Sequence, residues 1–238
     1  MNITLKQKIV IKSFFHSVIC AFILAFLFQT LLYQPFKIPS SSMEPNLLAG
    51  DYIFVNKFAY GYNNNSLSFG LNHINITEHN IYISQKRLGD VVVFYIPHNN
   101  RHYVKRVVGL PGDKIKMHHG NLYINNTKVV QKKINNNTQN TTKRILYKET
   151  LPNDVTYYIY KNYNANHYIM PNNTPEYCVP INTIFCLGDN RDNSIDSRYL
   201  NEIGFIKENT IIGKAQFIFW TKQIWYFLST KRIFTIIK

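Results

Sequence analysis

No Cys-x-x-C pair occurs in the chain, and no group of His and Cys residues has metal-ligand spacing. The histidines are scattered apart from His118-His119, so no metal is assigned and no cofactor is expected. Cysteine itself is scarce. Cys20 lies in an apolar run and reads as a small hydrophobe, while Cys178 and Cys186 are able to pair in an oxidising compartment, which spacing alone does not decide. Acid is scarce too: 13 Asp and Glu against 27 Lys and Arg leave a net charge of +14, which suits nucleic acid or an anionic membrane surface. Long uncharged apolar runs are limited to one, from Ser13 to Tyr33, and its presence favours the lipid surface over nucleic acid.

That run contains no Asp, Glu, Lys or Arg. At ~1.5 Å per residue it reaches across the ~30 Å hydrocarbon core, and it is longer than the ~7–15-residue apolar core of a cleaved signal peptide. It ends in Leu-Leu-Tyr-Gln-Pro rather than an A-x-A-like site, so an uncleaved anchor is expected. Lys6, Lys8 and Lys12 precede it without an acid, which predicts the N-terminus inside and the bulk of the chain outside. The expected organisation is a basic tail over 1–12, a transmembrane helix over 13–33 and an extracytoplasmic domain over 34–238.

The rest is aromatic-rich, with 17 Tyr and 16 Phe, which leans towards strands. Strands are predicted at Asp51–Asn56, at the apolar run Val91–Ile96 closed by Pro97, at His102–Val108, at Ile184–Leu187 and at Ile211–Trp220. Lys114–Val130 reads as a hairpin through His-His-Gly-Asn. Polar, Asn-rich insertions are expected at about 62–80 and 131–180, the second with possible strands at Ile145–Tyr147 and Thr156–Tyr160. The tail 217–238 is aromatic and basic, and reads either as core or as a membrane-interface segment.

Two features stand out as chemistry. Phe36 to Gly50 pins Ser40-Ser41-Ser42 between Pro39 and Pro45, which predicts a stiff, extended loop holding small hydroxyls; alone, it reads as a polar linker. Lys105 sits in Tyr103-Val-Lys-Arg-Val-Val, where period-2 alternation puts it on the face of Tyr103 and Val107 and puts Arg106 on the other. A serine is a weak nucleophile until a neighbour takes its proton. A free lysine is only ~0.1% neutral near pH ~7.4, and apolar burial lowers its pKa by up to ~3–5 units.

Four segments occur in a fixed order: Ile38-Pro-Ser-Ser-Ser-Met-Glu-Pro45 with Gly50-Asp51; Gly89-Asp-Val-Val-Val-Phe94; Tyr103-Val-Lys-Arg-Val-Val-Gly-Leu-Pro-Gly-Asp113; and Gly188-Asp-Asn-Arg-Asp-Asn-Ser-Ile-Asp-Ser-Arg198. With the N-terminal apolar run, this resembles a bacterial type I signal peptidase (leader peptidase). The resemblance implies a mainly β fold, a barrel-like antiparallel catalytic domain with one transmembrane helix. It implies Ser42 as nucleophile and Lys105 as general base. Ser40, with the Ser42 N–H, would form the oxyanion hole. Ser194 would orient the lysine, supported by an Asp196–Arg198 ion pair, and Phe36, Ile38, Tyr103 and Val104 would line pockets for small side chains.

The implied activity is removal of signal peptides from exported precursors at A-x-A-like sites. The implied partners are those precursors and the lipid bilayer. The implied place is the bacterial inner membrane, single-pass, with a cytoplasmic N-terminus and a periplasmic catalytic domain. Reticulum relatives carry a histidine where Lys105 stands, so the lysine points to the bacterial or organellar type. Ser41 stands where the family often has Gly, and Asn182 where it usually has Gly, a residue tolerated at positive φ. A self-cleaving Ser/Lys regulator of the LexA type shares the chemistry, but the Ala49-Gly50 bond lies downstream of Ser42 and no helix-turn-helix is evident. A non-enzymatic, membrane-tethered β domain explains the charge but not the four ordered segments.

Overall fold

The computed structural model describes residues 5–61, 86–134, 144–163, 170–222 and 232–237. The insertion expected at 62–80 lies outside them. A helix, α1, covers Leu5–Leu31. The strands are β1 (Tyr33–Lys37), β2 (Asp51–Asn56), β3 (Val91–Ile96), β4 (Arg101–Gly109), β5 (Lys114–His118), β6 (Asn121–Ile124), β7 (Thr127–Lys128), β8 (Val130–Lys133), β9 (Arg144–Thr150), β10 (Thr156–Asn162), β11 (Tyr177–Cys178), β12 (Thr183–Leu187), β13 (Ile206–Lys207) and β14 (Ile211–Thr221). They form a seven-stranded sheet in the order β1-β2-β14-β3-β4-β12-β13, a three-stranded sheet β10-β9-β8 and a four-stranded sheet β11-β5-β6-β7. The pairings are antiparallel, so the expected mainly β architecture is borne out.

The continuous apolar run of β3 is explained by its place inside the large sheet, where Val91 to Phe94 are almost completely buried. The β5–β6 hairpin closes through His119 and Gly120, both at positive φ (48° and 70°), the conformation that suits the twist of a two-residue turn. Asn182 takes φ 61°, as its replacement of a glycine predicts. The segment 131–180 is less of an appendage than its composition suggests. Its β8–β10 sheet docks on the core, with Leu151, Tyr157 and Ile159 buried beside Val108, Phe185 and Leu187.

The N-terminal boundary differs from expectation. The helix stops at Leu31, and Tyr33 opens β1 because Tyr33 to Lys37 pair with Asn56 to Tyr52. The side chains from Val10 to Phe26 are exposed, and among the described residues no helix is long and apolar enough to cross a membrane. The C-terminal segment comes back to β14: Phe234 N–H donates to Ile218 O at 2.7 Å and Ile237 N–H to Gln216 O at 2.8 Å. Ile237 enters the core while Phe234 and Ile236 stay exposed, so this stretch is part core, part surface. Residues 223–231 of the tail lie outside the described residues. Cys178 is exposed, Cys186 is buried, and both are free.

Candidate active site

The serine loop is a turn, not an extended strap. Glu44 N–H donates to Ser41 O (3.1 Å) and Leu47 N–H to Met43 O (2.9 Å), which folds the segment back on itself and takes Met43 and Leu47 into the core. Both are buried, at 1% and 0% exposure, so hydrophobic burial anchors the turn in the core. Ser42 opens this turn with its hydroxyl facing Lys105, and Ser40 Oγ lies 3.3 Å from Ser42 Oγ.

Lys105 Nζ donates to Ser42 Oγ at 2.7 Å and to Val104 O at 3.1 Å. The side chain comes from β4, in register with Val92 of β3, and is 3% exposed. The alternation read from the sequence holds: Tyr103 and Val107 pack in one cluster with Val92 and Cys186, and the Lys105 ammonium lies 5.9 Å from the Tyr103 ring centroid. Burial pulls the Lys105 pKa down to about 8; Asp196, Cys186 and Asp189 pull the other way, and Arg198 adds to the lowering. A pKa near 8 makes the neutral amine accessible close to physiological pH, within hydrogen-bond reach of a hydroxyl, which is the arrangement that general-base activation needs.

The loop 188–198 supports both residues. Arg198 Nε and Nη2 donate to the two Asp196 oxygens, both at 2.8 Å, and Gly188 N–H donates to Asp196 Oδ2 at 3.0 Å. Burial raises the Asp196 carboxyl, yet Arg198 more than offsets this and holds it below the ordinary value. The expected ion pair is therefore present. Ser194 is buried close to Gly188, but among the described residues its Oγ has no hydrogen-bond partner, so the expected bond to Lys105 is not made. Two of the ammonium's three donors are already spent on Ser42 and on the adjacent Val104 carbonyl.

Gly188 is where the loop passes closest. A Cβ there would press on Ser194 Oγ, lie 2.5 Å from Ser194 Cβ and lie 2.7 Å from the Ser42 carbonyl oxygen. Gly188→Ala is expected to cost about 2 kcal/mol, within the range for overpacking, and to lower turnover by displacing the serine turn. Thermal unfolding and a cleavage assay check this; unchanged stability and turnover would refute the tight approach.

Several participants were not singled out from the sequence. Asn190 N–H donates to Ser42 O (3.0 Å), Asn190 Nδ2 to Ser41 O (3.0 Å) and Asn193 Nδ2 to Ser41 Oγ (2.9 Å). Arg106, on the opposite face of β4 from Lys105, holds Asp189 through Nε and Nη2, both at 2.8 Å, and lies 3.9 Å from the Tyr157 ring centroid. Arg191 pairs with fully buried Glu149 of β9, which also accepts from Tyr157 Oη (2.6 Å) and Gln131 Nε2 (2.5 Å). The density of acceptors and arginines in 188–198 pointed to internal hydrogen bonding, but nothing marked Glu149 as their distant partner.

Of the expected pocket residues, Phe36, Ile38 and Val104 gather in one cluster, while Tyr103 faces the other. Ile38 is 2% exposed, so its contribution to a pocket wall is indirect. β1 is an edge strand, and β12 pairs with β4 only from Arg106 onward, which leaves Arg101–Lys105 open on that side. The Phe36 and His102 rings approach to 5.6 Å between these two stretches.

Residues 11–220 match the family model described as signal peptidase, peptidase S26. The chain is 40% identical over 216 residues to the signal peptidase I of Rickettsia akari, across 86% of this chain and 79% of that protein. It is 39% identical over 231 residues to that of Rickettsia typhi, across 94% and 84%. A crystal structure of a signal peptidase I from Enterococcus faecalis aligns over 56% of this chain and 97% of that one, at 24% identity and a TM-score of 0.34. With nearly the whole chain matched and both halves of the Ser42–Lys105 pair inside the matched region, the chain belongs to the signal peptidase family, peptidase S26.

Proposed function

We propose that the chain is a membrane-anchored serine endopeptidase that removes signal peptides from exported precursors, with Ser42 as nucleophile and Lys105 as its general base. The carrying observation is the 2.7 Å contact from the buried Lys105 amine to Ser42 Oγ. Neutral Lys105 takes the Ser42 proton as Oγ attacks the scissile carbonyl, and the tetrahedral oxygen is met by the Ser42 N–H and the Ser40 hydroxyl. The lysine then gives the proton to the leaving amine. Water, deprotonated by the same amine, hydrolyses the acyl-enzyme and restores Ser42.

An extended substrate suits the gap between the β1 edge and the open stretch of β4, where backbone groups are available for pairing. The half-buried rings of Phe36 and Tyr103 crowd the gap, which favours small residues such as Ala beside the cut. Beyond Lys12 the helix α1 carries no charge on any side and its side chains are exposed as far as Phe26, and such a helix needs apolar surroundings. Together with Lys6, Lys8 and Lys12 in its N-terminal turns, this supports an anchor with the N-terminus inside and the catalytic domain outside the cytoplasm, at the inner membrane.

The test is cleavage of a secreted precursor by the full chain in phospholipid vesicles. Mass spectrometry is expected to place one cut after an A-x-A-like site. A Ser42→Cys variant is expected to retain some cleavage and to lose it on thiol alkylation, with Cys20, Cys178 and Cys186 replaced beforehand. Cleavage that survives alkylation would rule out residue 42 as the nucleophile.

A further inference from the structure

The Ser41 carbonyl and the Ser42 N–H belong to one peptide group, and the next carbonyl belongs to Ser42. Asn190 holds both: its side-chain Nδ2 donates to Ser41 O and its backbone N–H to Ser42 O, each at 3.0 Å. The Ser41 carbonyl also accepts from Glu44 N–H at 3.1 Å within the turn, but among the described residues Asn190 is the one that holds the peptide planes on both sides of the Ser42 Cα. The Ser41–Ser42 bond is not among the cis peptides, so its N–H points opposite to its carbonyl. With the carbonyl drawn towards Asn190, the N–H is directed away from the 188–198 loop. Among the described residues no acceptor meets that N–H. Asn193 Nδ2 adds a third hold, on Ser41 Oγ at 2.9 Å.

Asn190 is fully buried, and its Oδ1 has no partner among the described residues. A buried acceptor left unsatisfied is unfavourable, so the amide is explained by its donor end alone. We propose that Asn190 is a positioning residue of the oxyanion site: it fixes the plane of the Ser41–Ser42 peptide so that the Ser42 N–H is already aimed where the tetrahedral oxygen forms. Donors preset in this way stabilise the transition state without reorganising during the reaction. The inference rests on Ser42 being the nucleophile.

Asn190→Ala keeps the backbone N–H bond to Ser42 O and removes only the side-chain hold. Its kcat is expected to fall about 30-fold with KM nearly unchanged, below the ~10²–10³ lost when an oxyanion donor is removed outright. A peptide aldehyde, whose hemiacetal oxygen occupies the same site, is expected to bind weaker by a similar factor. The isosteric Asn190→Asp, which presents an acceptor to Ser41 O, is expected to lose at least as much. The decisive reading is a cycle with Ser40→Ala: two changes to one oxyanion site give a combined loss smaller than the product of the single losses.

A kcat within about twofold of native for a folded variant, or strictly multiplicative losses with Ser40→Ala, overturns the proposal. Failure of both variants to fold also counts against it, because orienting one peptide is not a requirement of the fold. If alkylated Ser42→Cys still cleaves, the nucleophile assignment itself fails; if that assignment stands and the Asn190 variants stay active, only this inference fails.

Discussion

Lys105→Met is expected to lower kcat/KM by about a thousand-fold, within the ~10²–10⁴ range for loss of a general base, while the chain stays folded. Methionine fills much of the same apolar channel between Tyr103, Val92 and Cys186 without an amine to receive the Ser42 proton. As the proposed general base, Lys105 works in its neutral form. Activity is therefore expected to rise with pH through about 8 and to level off above it. An exposed lysine would place that rise near ~10.4 instead.

Stability carries the same signature. Unfolding returns Lys105 from about 8 to the ordinary lysine value of 10.5, so between these limits the unfolded chain binds more protons and the native state gains stability as pH rises. Below about 8 both states hold the proton, and the cost of burying the ammonium is fully present. Lys105→Met is thus expected to be more stable than the native chain at neutral pH by about 3 kcal/mol. Titration curves for kcat/KM and denaturant melts of both proteins check these outcomes. A variant that cleaves within tenfold of native, or a pH profile flat from 6 to about 10, would reject Lys105 as the base.

Glu149→Ala carries the largest expected effect on stability. It would leave the fully buried Arg191 guanidinium unpaired and strip partners from Tyr157 Oη and Gln131 Nε2. Removing one partner of a buried ion pair costs about 3–5 kcal/mol, which in a domain of this size lowers the melting temperature by roughly 10 °C. Glu149 is held below the ordinary carboxyl value although burial raises it, because Arg191, then Tyr157 and Gln131, favour the anion more strongly. Turnover should also fall, since Arg191 follows Asn190 directly and its carbonyl accepts from Arg198.

Replacing both partners with apolar residues, Glu149→Leu with Arg191→Met, is expected to restore most of the lost stability, because the penalty lies in the orphaned charge and not in the absence of the pair. Thermal and denaturant unfolding read both variants. A single substitution costing under about 1 kcal/mol would show that water reaches Arg191 freely.

The parts of this molecule that could be read along the chain are those whose cause is local. The apolar run Val91–Ile96 forms a strand because both its faces are covered, and the alternation around Lys105 places its side chain without any partner being known. The Ser40–Ser42 and Gly188–Arg198 segments were legible by resemblance, and the Ser42–Lys105 contact and the Asp196–Arg198 pair follow. What escaped depends on distance. Glu149 sits in a β9 that looks like any half-polar strand, and its partner lies 42 residues away. The serine turn escaped because two prolines argued for extension, whereas Met43 and Leu47, four apart, wind the chain to reach the core. The Ser194–Lys105 bond, expected by resemblance, is not made: Lys105 Nζ donates to Ser42 and Val104, and Ser194 Oγ has no partner among the described residues.

The joint between α1 and β1 has a bearing on the substrate. Leu32 alone separates the two elements, and it is tied on both sides, through its N–H to Phe28 O at 2.9 Å and through its carbonyl to Lys57 N–H at 3.0 Å. From there β1 runs to Lys37 along the proposed substrate gap, and Ile38, held to Asp51 and Gly50 by backbone hydrogen bonds, leads on to Ser42. For an enzyme anchored by α1, this leaves no slack between the bilayer and the nucleophile. The strand that carries the chain from the helix end towards Ser42 has a fixed length of about 17 Å, at ~3.3 Å per strand residue. Such a joint works as a ruler: a precursor threading out of the same bilayer meets Ser42 at a set height, so the position of the cut would be measured as well as recognised.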